Sequence, residues 1–439
     1  MLPKSLTGII ALMTMGFTST YAQNSFKSIE DIWKYADAHN ITIKSAAYES
    51  AKSTWSKKQS YSSLLPQVGL TGSFTENTAI QTTLIPAAIF GGPDGQYRAV
   101  QFGQKYIYSG GVNAQMDLLN VQNWLGVGIA KATEEYTKAT AANTRKSIYQ
   151  QIATQYYAYL LMSEAARLAA ESEAIADSVA QTTINKFNEG TVSAANVDVA
   201  KINLNRTQQT AITAAYQLST AKNNLKVLLG ISVTDSLNID NTLRADVAQT
   251  TIGSFAEDPS IKQALLQSQM SLIQYKASNS AFLPIITLQY NNATQQNDNT
   301  FRPFQGGPAW FPSSYWSLRA SWTLFNGGSR WMQSRKNKIN VEQTLAQYQN
   351  TQNQSAINDE NLRLAYEKAS VMLRKSEEIM KLSYDNYMHI TNRYNAGIEP
   401  LANRLSAFSD YINYQNQYLN SLSDMMVQLY QVKIRQTTF

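Results

Sequence analysis

Four short stretches of this 439-residue chain alternate strictly between apolar and polar residues. Val68, Leu70, Gly72 and Phe74 alternate with Gln67, Gly69, Thr71, Ser73 and Thr75. Val112, Ala114, Met116 and Leu118 alternate with Asn113, Gln115 and Asp117. Ile286, Leu288 and Tyr290 alternate with Thr287, Gln289 and Asn291, and Trp316, Leu318, Ala320, Trp322 and Leu324 with Tyr315, Ser317, Arg319, Ser321 and Thr323. Period two predicts strands of about ten residues with one apolar and one polar face. A soluble sheet lying on a helix makes the same pattern once. Fourfold recurrence, with Thr, Ser, Asn and Gln as the polar class, is the pattern of a membrane barrel with a wet lumen. Such barrels need at least about eight strands. Four cannot close, so the missing edges have to come from other copies of the chain.

Helices do not offer a competing route across a membrane. Past the N-terminus no run of 18 or more apolar residues occurs, and hydrocarbon tolerates no open sheet edge. Trp310, Phe311, Tyr315 and Trp316 suit an interfacial girdle, and equally ordinary loop packing. Residues 1–22 read as a secretory signal: Lys4 is the basic element, Leu6 to Phe17 the apolar one, and Thr20 and Ala22 precede a cut at Gln23. Removal of that segment leaves 36 basic and 31 acidic residues, a net charge of +5. So mild and evenly spread a balance does not point to nucleic acid. The chain has no cysteine, which excludes disulfides, thiolate chemistry and a lipidated N-terminal Cys.

The chain is built twice over. Leu65-Pro66 and Leu283-Pro284 each lead from helix-like sequence into an alternating stretch, at an offset of 218. Asp117-Leu118-Leu119-Asn120 pairs with Thr323-Leu324-Phe325-Asn326 at 206, and Lys186 to Gly190 with Arg393 to Gly397 at 207. The change of offset puts about a dozen extra residues into a loop of the first half. Both loops contain Gly-Gly-Pro (Gly91 to Pro93, Gly306 to Pro308). Each half reads helix, strand, loop, strand, very long helix, tight turn, long helix. The expected division is 1–22 signal, 23–230 first repeat, 231–258 a separate segment and 259–439 second repeat.

Pro and paired Gly are absent from Ser329 to Tyr394, a stretch that as helix would reach ~100 Å. Tyr366, Leu373, Met380, Tyr387 and Tyr394 recur every seven residues, beside Leu362, Ala369, Ser376, Ser383 and Ile390. Val197, Leu204, Ala211, Leu218 and Leu225 form a third series. Tyr411, Tyr418, Met425 and Val432, flanked by Tyr414, Leu422 and Leu429, form a fourth. A strict heptad predicts left-handed supercoiling. The Ala, Ser and Tyr content favours a hollow helical wall, although spacing alone is compatible with a solid bundle.

Asn188-Glu189-Gly190 and Asn395-Ala396-Gly397 predict two helix ends closed by a left-handed Gly, with Ser193 and Pro400 at the next helix starts. Capping alone accounts for these residues. The further expectation is that the two tips are docking points. Nothing points to catalysis: His39 and His389 lie far apart without metal-ligand spacing, and no phosphate-binding Gly-rich loop exists. No cofactor is expected, and transport, if any, has to be powered elsewhere.

Taken together, Leu65-Pro66-Gln67-Val68-Gly69-Leu70, Thr323 to Gly328, the two tips and Leu228-Leu229-Gly230 resemble the TolC-type outer-membrane efflux family over the whole mature chain. The resemblance implies a mixed α+β membrane protein: a homotrimer whose protomers each give four strands to a 12-stranded outer-membrane barrel, continued by an α-helical coiled-coil barrel through the periplasm. It implies that 231–258 belong to an equatorial belt. It also implies that the tips meet a periplasmic adaptor protein joined to an inner-membrane transporter. Carried over by position, Lys186, Phe187, Asn188, Glu189, Gly190, Arg393, Tyr394, Asn395, Ala396 and Gly397 are the adaptor-contact candidates. Some relatives place aspartates six and nine residues beyond the second tip Gly, at the tunnel constriction. Here those positions hold Asn403 and Ser406, which leaves Glu399 and Asp198 to supply a weaker negative ring. The alternative is a secreted trimeric coiled-coil scaffold or adhesin without a pore.

Overall fold

The computed structural model describes residues 24–239, 243, 253–302 and 309–438. The expected signal segment, the second Gly-Gly-Pro and most of 240–252 lie outside the described residues. In chain order the elements are β1 (Asn24–Phe26), α1 (Ile29–His39), α2 (Ile41–Ser60), β2 (Gln67–Glu76), β3 (Thr82–Pro86), β4 (Tyr97–Gln101) and β5 (Tyr106–Leu119). Then follow α3 (Val121–Asn188), α4 (Ala194–Leu229), β6 (Leu237–Ile239), α5 (Pro259–Ser280), β7 (Ile285–Asp298), β8 (Phe311–Ser321), α6 (Ser329–Asn395) and α7 (Leu401–Gln436). The expected order of elements therefore recurs in both halves. Two compact units cut across these halves, one made of 47–141 and 258–355, the other of the remaining described residues.

The first of these units carries an antiparallel sheet in the order β2-β5-β7-β8. Its register puts the apolar residues of all four strands on one face: Val68 opposes Ala114, Ala114 opposes Tyr290, and Tyr290 opposes Trp316. The Tyr290 and Trp316 rings lie 4.5 Å apart. Hydrogen bonds knit the other face, as between the Ser73 and Ser109 hydroxyls at 2.7 Å. Leu70 is 83% and Trp316 68% exposed, so nothing among the described residues covers these positions of the apolar face. Among the described residues both outer strands, β2 and β8, keep one unpaired edge.

Three details differ from the sequence reading. Leu118 does not continue the apolar face of β5. The pairing jumps from Asp117↔Thr287 to Leu119↔Ile286, leaving Leu118 as the extra residue of a bulge. Asp117 holds that bulge by accepting from the Thr287 hydroxyl (2.8 Å) and from the Asn120 and Asn123 amides (2.8 and 3.2 Å). The fourth strand stops at Ser321, paired with Ile285, so Trp322 and Leu324 lie beyond it. Its partner β7 begins just after Pro284, which has no N–H to extend the ladder. Finally, the loop of the first half holds a hairpin of its own, β3 with β4.

In the same unit Lys57 and Thr54 of α2 both bind the Glu134 carboxylate of α3, Thr54 at 2.9 Å. The Lys57 bond is the largest cause holding this carboxyl down to about 2 from its ordinary 4.5, and Thr54 adds to it.

The second unit is built around Ile29, Ile32 and Ala36 of α1, Ile152 and Tyr156 of α3, and Leu225 and Leu229 of α4. Gly230 ends α4 with φ 67°, and a Cβ there would stand 2.9 Å from the carbonyl oxygen of His39. Leu228-Leu229-Gly230 is thus a core-filling pair followed by the one residue the approach of α1 tolerates. The Asn40 side chain completes this joint. It donates to the Leu228 carbonyl at 2.6 Å and accepts from the amides of Thr42 and Ile43. Every member of the four heptad series is buried or half-buried. Of the flanking residues, Leu422 and Leu429 are buried, while Tyr414 stands exposed.

Candidate functional site

Both helical hairpins turn through the same motif. At the first, Gly190 (φ 75°) donates to the Phe187 carbonyl at 2.9 Å and Thr191 to that of Lys186 at 2.9 Å. At the second, Gly397 (φ 77°) donates to Tyr394 at 3.0 Å and Ile398 to Arg393 at 2.9 Å. These paired bonds satisfy carbonyls that a helix end leaves free, and they require a left-handed residue where Gly stands. The next helices start without side-chain caps. Ser193 makes no capping bond, and Pro400 occupies the N-cap itself, with Leu401 beginning α7.

The two tips meet in space. The Lys186 ammonium lies 5.2 Å from the centre of the Tyr394 ring, and the Arg404 guanidinium also lies 5.2 Å from it. Beneath them Val179, Ala180, Ala200, Leu401 and Leu405 form a small core with Leu204 and Tyr394 against it. Phe187, Asn188, Glu189, Gly190, Arg393, Asn395, Ala396 and Gly397 are exposed around this core. Two further residues belong to the surface that sequence reasoning overlooked. Ile398, directly after the second Gly, is 65% exposed, and Arg404 holds the tip ring. The Gly signal located the first of these by position, but nothing in the sequence marks Arg404.

The expected constriction residues fall into two groups. Glu399 is engaged on both carboxylate oxygens, accepting from Arg393 at 3.1 Å and from Asn403 at 2.9 Å. Its charge is therefore matched within the tip. Asp198 is exposed on α4. Asn403 and Ser406 lie on an exposed strip of α7, opposite buried Leu401, Leu405 and Phe408. Asp410, at the next helical repeat along this strip, is its first carboxylate and is also exposed.

A sheet with two open edges and an uncovered apolar face, followed along the chain by long helical hairpins with interlocked tips, defines a protomer of an assembled membrane duct. The sequence matches the outer membrane efflux protein family over residues 34–231 and again over 254–432, so the chain belongs to that family. The fold has close counterparts among solved structures. The outer-membrane channel OprN is 16% identical with a TM-score of 0.77, covering 99% of this chain and 98% of that one. The Campylobacter jejuni CmeC outer membrane channel is 16% identical with a TM-score of 0.73, covering 93% and 85%. The outer membrane protein VceC from Vibrio cholerae is 16% identical with a TM-score of 0.74, covering 92% and 94%. No curated protein matches the chain.

Proposed function

We infer that this protein is an outer-membrane efflux channel that works as a passive exit duct. It is a homotrimer coupled through its hairpin tips to a periplasmic adaptor and an inner-membrane transporter. The observation that carries this reading is the open sheet. Two unpaired edges and a face bearing exposed Leu70, Trp316 and Leu318 are stable only when copies join edges and lipid covers the face. Three copies contribute 12 strands, enough for closure around a polar lumen. A pore-free scaffold leaves that apolar face in water and is disfavoured.

The tips are the docking surface in this reading: Phe187 and Ile398 offer apolar contact, ringed by Lys186, Glu189, Arg393 and Asn395. Asn403 and Ser406 make the constriction polar but uncharged, and Glu399 adds little because Arg393 already matches it. The ring of negative charge falls to the exposed Asp198 and Asp410. Residues 1–22 act as the export signal and 231–258 as the equatorial segment. The test is twofold. Full-length protein should migrate on a denaturing gel as a heat-modifiable trimer and open conducting pores in planar bilayers. Deletion of the gene should raise susceptibility to exported toxicants. A detergent-free, soluble, monomeric protein would overturn the reading.

A further inference from the structure

The two long helices carry one short pattern at the same place. α3 has Trp124 in its first turn and Lys131 seven residues on, and α6 has Trp331 and Lys338 at the same spacing. Both pairs obey the offset of 207 that relates the hairpin tips. Two helical turns separate each Trp from its Lys, so the pair shares one helix face. Arg335 lies on that face as well, its guanidinium 5.4 Å from the centre of the Trp331 ring. Trp124 and Trp331 are 63% and 60% exposed, and Lys131, Arg335 and Lys338 are exposed too. None of the three cations forms an ion pair among the described residues, including Lys338 with Glu342, the next acid on that face.

Direction decides what these groups can reach. Side chains on a helix lean toward its N-terminus, here toward the strands that precede α3 and α6. Lys131 and Lys338 start ~10 Å along the axis from their Trp, and long basic side chains extend back over apolar surface to place their charge in the polar layer. That layer is ~5–7 Å deep on each side of a bilayer. Trp rings settle at its boundary with the acyl chains. A Trp at that boundary therefore puts the ammonium among headgroups.

We propose that Trp124 with Lys131, and Trp331 with Arg335 and Lys338, form two stations of a collar that binds anionic phospholipid headgroups in the leaflet on the helix side of the barrel. The inference rests on the lipid-embedded reading of the sheet. Three cations without acidic partners favour a headgroup that brings net negative charge over a zwitterionic one. The repeat supplies both stations in each protomer, which makes the collar continuous around an assembly.

The test uses full-length protein in mild detergent doped with equal amounts of phosphatidylglycerol and phosphatidylcholine, with retained lipid counted by native mass spectrometry. Wild-type protein should keep phosphatidylglycerol preferentially. The K131Q/R335Q/K338Q variant should lose about tenfold of that preference, and a control with K201Q/K262Q/K368Q should keep it. Equal retention of the two lipids by wild type, or an unchanged preference in the variant, overturns the collar. Loss of the preference on adding millimolar inorganic phosphate also overturns it, since the site would then read free phosphate. Insertion into pure phosphatidylcholine vesicles tests the barrel separately. Protein that inserts yet shows no headgroup preference sinks the collar alone, whereas protein that does not insert sinks both.

Discussion

Lys186 of one hairpin tip and Tyr394 of the other stand in cation–π contact, 5.2 Å from ammonium to ring centre. Arg404 takes the same ring at 5.2 Å. One aromatic side chain thus ties together the ends of two hairpins that belong to different repeats. Tyr394→Ala removes both contacts and part of the small core, at a cost of about 1–2 kcal/mol. Tyr394→Phe should keep most of it. Hydrogen exchange at the amides around Gly190 and Gly397 should speed in the Ala variant and not in the Phe variant.

Gly397→Val forces a β-branched residue into a left-handed conformation, which costs roughly 1–3 kcal/mol locally. No neighbour lies within 4 Å of the Cβ position, so the strain is confined to the turn. Trimers should accumulate at wild-type abundance while cross-linking to the adaptor and efflux both fall. Gly397→Pro also deletes the N–H that the Tyr394 carbonyl accepts and cannot take a positive φ, so it should show the same pattern more strongly. Normal efflux at normal abundance would remove the tip from the docking surface.

Gly111 is different because its constraint is space. A Cβ there would stand 2.6 Å from the Asn292 carbonyl oxygen and 2.8 Å from the Ala293 Cα, both backbone atoms of the paired strand. Gly111→Ala should part β5 from β7 and abolish the heat-modifiable band. Gly126→Ala, in open space on α3, should leave it intact.

Glu134 makes stability depend on pH. Its folded value, about 2, lies below the ordinary 4.5, chiefly through the Lys57 bond. The contribution is therefore fully present above about 4.5 and fades as pH falls toward 2. Thermal unfolding of Glu134→Gln should trail wild type at pH 7 and converge with it near pH 2. A gap that persists at the acid end would assign the effect to packing.

Arg435 near the end of α7 is buried and grips Asp359 of α6 with two bonds, at 2.7 and 2.9 Å, while also reaching the Ala256 carbonyl. Arg435→Met leaves that carboxylate without its main partner and should cost about 3–5 kcal/mol. Adding Asp359→Leu should recover part of the loss, a coupling that a double-mutant cycle measures directly.

The sequence by itself determined the period of the four sheet strands and of α4, α6 and α7. Alternation marked four strands, the seven-residue recurrence marked the buried stripes of α4, α6 and α7, and Gly after Asn-x marked both hairpin ends, because each follows from local geometry and solvent exposure. The doubled offset revealed the repeat for the same reason. Tertiary structure decided what no period records. The bulge at Leu118 depends on Asp117 finding Thr287 across the sheet, and the early end of β8 depends on Pro284 in its neighbour. Whether Glu399 is a free charge was settled by Arg393 folding back onto it, and the grip on Tyr394 needed Lys186 and Arg404 brought from separate helices. Local pattern sets which residues face inward, but partner identity comes from chain segments far apart in sequence, and only packing brings those together.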